Sequence, residues 1–130
     1  MKNRIIAVIV GVLAGWFVVY GGEVINSKVF PAPEGLDYTD KIALIDFIES
    51  LPTTAFLSMF LVWMISSFVG GFSAGKIVKS GWKKATIITG AILLFSNVAN
   101  MFFIPHPLWL NVMTIIMYLP MAYLGGKLAN

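Results

Sequence analysis

The chain has no cysteine, one histidine and, beyond Glu49, no acidic residue at all. Without cysteine there is neither a disulfide framework nor a thiolate metal site. A lone histidine speaks against a protein-held zinc ion, which takes three or four His, Cys or carboxylate ligands. Charged residues of either sign make up only 12% of the sequence, well below the ~25% of an ordinary soluble domain. Too little polar surface exists to cover a water-facing globule.

What is present is apolar: 58% hydrophobic residues and a mean hydropathy of +0.87. The apolar residues fall into four runs. Met1-Lys2-Asn3-Arg4 precedes the first, from Ile5 to Gly22. It is long for the core of a signal peptide and no A-x-A cleavage site follows, so it reads as an uncleaved transmembrane helix. The second runs without a charge from Pro52 to Gly75. At ~1.5 Å per residue it covers the ~30 Å hydrocarbon core of a bilayer. Ala85 to Ile104 forms the third, broken only by Ser96, Asn97 and Asn100. Leu108 to Ala129 forms the fourth, and Pro120 inside it removes a backbone donor and should kink the helix. The expected fold is an all-α, four-transmembrane-helix bundle, one membrane domain over residues 1–130, with helices at about 5–25, 52–78, 84–104 and 107–129.

The outer loop, 26–51, has another character. Pro31-Ala32-Pro33 makes it rigid and extended. Asp37 or Thr39 can then cap a short helix. Ile42, Ile45 and Ile48 share one side of it, with Leu44 and Leu51 alongside, which predicts an amphipathic helix at the membrane interface or over the bundle mouth. All six acidic residues lie between Glu23 and Glu49.

Basic residues set the orientation. Lys2, Arg4, Lys76, Lys79, Lys83, Lys84 and Lys127 flank one side, and only Lys28 and Lys41 the other. The positive-inside rule places both termini and the 79–84 turn in the cytoplasm. The net charge of +3 is thereby spent at the membrane border, not on a nucleic-acid face.

Small residues recur four apart. Gly11 and Gly15 mark the first helix; Ser67, Gly71 and Gly75 form one stripe on the second, with Ser66, Gly70 and Ala74 beside it; Gly125 and Gly126 close the fourth. Such stripes let helix backbones approach closely in lipid. They exceed what one small bundle needs internally, which points to a homo-oligomer or a membrane-protein partner. An internal match accompanies them. Shifted by 55 positions, the second helix lies on the fourth, pairing Pro52 with Pro107 and Gly70-Gly71 with Gly125-Gly126. The first matches the third at an offset of 79, giving two similar hairpins, a parallel repeat about an axis normal to the membrane.

Gly71-Phe72-Ser73-Ala74-Gly75 has the G-x-S-x-G form of a serine-hydrolase elbow, but that motif needs a strand-to-helix turn and here lies inside a helix. The single histidine falls at the opposite membrane face. No catalytic set and no cofactor motif remains, so the chain does not read as an enzyme. The polar candidates are Glu23, Asn97, Asn100 and His106. Glu23 sits about 27 Å along the first helix, counted from Ile5, near the outer boundary of the core. An ionisable group at membrane depth is a functional candidate, and the plain reading is that it reaches water or caps the loop. Asn97 and Asn100 share a helix face, where interhelical hydrogen bonding is the plain reading. His106-Pro107-Leu108-Trp109 is a tight turn with an interfacial tryptophan. Trp63 lies mid-helix, where its indole needs a polar neighbour.

Glu23, Pro31-Ala32-Pro33-Glu34-Gly35-Leu36-Asp37, Leu51-Pro52, Trp63, Gly70-Gly71 with Lys76, His106-Pro107-Leu108-Trp109 and Leu119-Pro120 together resemble a family of small bacterial inner-membrane proteins with four helices and no assigned function. The resemblance covers nearly the whole chain and implies a location in the bacterial inner membrane, not an activity. Two roles follow from the residues. The first is a non-catalytic accessory or assembly subunit that oligomerises through small-residue helix faces. The alternative is a small-solute transporter or channel with an outward-facing polar path through Glu23, Asn97, Asn100 and His106.

Overall fold

A computed structural model describes residues 2–130 and is all-helical. Its elements are α1 (Lys2–Val29), α2 (Lys41–Ser50), α3 (Thr53–Ile77), α4 (Trp82–Phe103) and α5 (Leu108–Ala129). Four of them, all but α2, are long and apolar enough to cross a membrane, which makes this a multi-pass membrane protein. α1 continues past its expected end at about residue 25 because Asn26 and Ser27 find partners. Ser58 Oγ donates to Asn26 Oδ1 at 3.0 Å, and Ser27 Oγ donates back to the Val24 carbonyl at 2.8 Å. Pro120 does not divide α5, which stays a single element.

α3 is the hub, packed against α1, α4 and α5. Its two small-residue stripes divide the work. Ser66, Gly70 and Ala74 face α1: Ser66 Oγ donates to the Gly15 carbonyl at 2.8 Å, and a side chain at Gly70 would meet the Gly11 carbonyl. Ser67, Gly71 and Gly75 face α5: Ser67 Oγ donates to the Tyr118 carbonyl at 2.6 Å, Gly71 lies on the Ala122 backbone, and Gly75 on Gly126. Adjacent serines thus bond in opposite directions. All eight small residues singled out for association are buried, and each of the seven glycines among them abuts another helix of the same chain. A hub helix needs a small-residue stripe for each neighbour it meets at close range, and these two serve α1 and α5.

The hairpins α1/α3 and α4/α5 run in the same sense, but the expected two-fold relation does not appear in their packing. Such a rotation would exchange α1 with α4 and α3 with α5, so an α1–α5 contact would have to match the α3–α4 contact. Among the described residues α3 touches α4, and α1 does not touch α5. The matched glycines also do different work: Gly70 backs onto α1, whereas Gly125 backs onto the Phe68 carbonyl of α3. One hairpin lies beside the other, displaced sideways.

The short helix is α2, and its cap differs from the expectation. Asp40 caps it, its Oδ1 accepting from the Ile42 and Ala43 N–H groups at 3.1 and 3.3 Å. Asp37 instead closes a turn on Thr39, accepting from its N–H at 2.9 Å and its hydroxyl at 2.6 Å. These bonds hold the exposed Asp37 carboxyl below its ordinary value, the Thr39 hydroxyl contributing most. The buried face also turns from the one expected. Leu44 and Ile48, one helical turn apart, are buried with Phe47 and Leu51 packed beside them, while Ile42 is 74% exposed.

Candidate functional site

α1 has 28 residues and α3 has 25, against 22 each in α4 and α5. At ~1.5 Å per residue, α1 is some 9 Å longer than either helix of the second hairpin. The α4–α5 turn is correspondingly recessed. Its His106 ring meets Trp63, ten positions into α3, edge-on at a centroid distance of 5.6 Å and an angle of 80°. A well is left above this turn, and α2 lies across it.

The result is a cavity of about 240 Å³. α1 contributes Glu23 and Ser27, with Phe30 just past its end; α3 contributes Met59 and Trp63; α4 contributes Asn100, with Ile104 just past its end. His106 forms part of the floor, and Leu44, Phe47 and Ile48 of α2 form the roof. α5 takes no part. Trp63 lies about 15 Å below the α2 end of its helix, so the cavity reaches to roughly half the depth of a bilayer.

Three of the four polar candidates therefore converge. Glu23 and Asn100 are exposed into the cavity, and His106 is half-buried on its floor. The His106 Nδ1 is buried and has no hydrogen-bond partner among the described residues. Burial pushes the imidazole below its ordinary value, with the Ile104 carbonyl pulling the other way. Asn97 is the exception. It lies one turn deeper, buried, and its Nδ2 donates to the Tyr118 hydroxyl at 3.0 Å. That bond ties α4 to α5 and closes the bundle beneath the cavity, so Asn97 belongs to the seal and not to the lining.

Sequence reasoning undervalued Trp63 and left the α2 residues out of the site. Trp63 gave a signal, an indole at a depth where no interface explains it. Phe47 and Leu44 gave none, because nothing local distinguishes a helix that covers a cavity from one that floats on lipid. No family model matches the chain, and no curated protein or solved structure is significantly similar to it. The class rests on the fold and the site alone: a multi-pass helical membrane protein with a roofed cavity at one end.

Proposed function

We propose that this protein is a small-solute transporter of a bacterial inner membrane, with both termini in the cytoplasm and the α2 cavity as its outward-facing binding site. The observation that carries this reading is the convergence of Glu23, Asn100 and His106, from three separate parts of the chain, on one cavity that reaches mid-membrane. Polar and ionisable side chains within a membrane segment are costly, and face the bundle interior or a solute path. Below the cavity the path is shut. Asn97 bonds Tyr118, and Leu93 fills the space against Gly15. A polar cavity beneath the α2 roof, sealed toward the termini, has the form of one state of an alternating-access cycle.

Orientation is supported by charge. Arg4, Lys76, Lys79, Lys83, Lys84 and Lys127 all lie at the end opposite α2. The accessory role loses its support, because the small-residue stripes on which it rested are used inside the chain.

The natural absence of cysteine makes the test direct. Single cysteines at Asn100 and Leu93 are exposed to a membrane-impermeant thiol reagent added to intact cells. Asn100→Cys should react and Leu93→Cys should not. An unreactive Asn100→Cys in folded protein would mean that the cavity does not open to the outer medium, and the transport reading would fall.

A further inference from the structure

Resting on that reading, we propose that the solute is an amphiphilic organic cation, drawn sideways from the outer leaflet through a gap between α1 and α4.

Three features of the cavity select the charge. Glu23 is the one acidic side chain among the four long helices, and no basic group stands close enough to act on it. Its counter-ion must come from outside the chain or be absent, because an exposed carboxylate within membrane depth gains much from a partner. The walls supply a second recognition element. Trp63, Phe30, Tyr38 and Phe47 line the same space, and aromatic faces attract cations most strongly where water is excluded. No lysine or arginine lines the cavity, so no fixed cation offsets the repulsion of an anion by Glu23.

The route follows from how α1 and α4 meet. Toward the termini they are in close contact, Gly11 against Thr89 and Gly15 against Leu93. Nearer α2 they part. Gly22 turns to Val62 of α3, and Glu23 and Asn100 are both exposed. Apolar side chains one turn from each polar group are bare: Tyr20, three residues before Glu23, is 70% exposed, and Phe103, three residues after Asn100, is 77% exposed. A long-chain cation fits this surface. Its chain stays against the apolar flank while its head group enters between the helices to Glu23.

The test follows Trp63 fluorescence in lipid nanodiscs, with Trp16, Trp82 and Trp109 replaced by Phe. Three probes are titrated: dodecyltrimethylammonium, its neutral isostere with a tert-butyl head group, and tetramethylammonium. The long-chain cation should change the signal saturably, at a concentration about tenfold below either of the others. Glu23→Gln should bring the cation and the neutral isostere to equal affinity; since Glu23 is exposed, the fold should be retained, as a circular dichroism spectrum would verify. Equal binding of the cation and the isostere by the parent protein would overturn the cation assignment while leaving a solute cavity intact. Equal binding of tetramethylammonium would overturn the amphiphile and its lateral route. If no probe reaches Trp63, and Asn100→Cys also fails to react with the thiol reagent, the cavity reading itself is lost.

Discussion

Trp63 and His106 sit ring to edge 5.6 Å apart although 43 residues separate them in sequence, and this contact marks how far the α4–α5 turn is drawn into the bundle. The pair has a pH consequence. Burial lowers the His106 pKa from the ordinary 6.5, so the unfolded chain binds the proton more tightly than the folded one. Stability is therefore complete above the ordinary value and is lost as the pH falls through the lowered one. His106→Phe should flatten this decline. Thermal unfolding in detergent between pH 7.5 and 5 checks it, and identical slopes for the two proteins would refute the assignment.

Gly71 against Ala122 governs the α3–α5 contact. A side chain at Gly71 would run into the Ala122 backbone, which cannot yield as a flexible side chain would. Gly71→Leu should cost about 3 kcal/mol or more. Leu57→Ala, at a site 49% exposed, should cost well under 1 kcal/mol, about the size of an ordinary surface change. Equal melting temperatures would place the glycine stripe at lipid.

The Asn97–Tyr118 bond should show a measurable coupling. A cycle of Asn97→Leu, Tyr118→Phe and the double variant should return about 0.6 to 1.7 kcal/mol, the range for hydrogen bonds between membrane helices. A coupling of zero would remove the bond from the seal beneath the cavity.

The roof depends on its cap. Asp40→Ala removes the acceptor for Ile42 and Ala43 and should weaken α2 by about 1 kcal/mol. Amide exchange in α2 should accelerate several-fold, with α3 unchanged. Asp37→Ala should affect the preceding turn and spare α2, since Asp37 bonds only to Thr39.

Orientation can be read independently. Cysteines placed at Glu34 and Asp46 should label from outside intact cells, and one at Ser80 should label only after the membrane is permeabilised. The reverse pattern would overturn the charge argument.

By itself the sequence determined the four spanning segments and their ends to within a few residues. The reason is physical: apolar length against bilayer thickness is a local quantity, and Pro52, Gly81 and Pro107 punctuate it locally. It also determined that Ser66, Ser67 and the neighbouring glycines pack closely, because residue size is written in the chain. It could not say against what. Only the tertiary structure decided that one stripe of α3 meets α1 and the other α5, leaving both inside the molecule. It also decided that Asn97 turns to Tyr118 while Asn100, a turn away, faces the cavity. Which partner a buried group finds depends on helix rotation and relative height, and those are set by the summed packing of all the helices. The cavity arises in the same way, from helices of unequal length whose mismatch no single segment records.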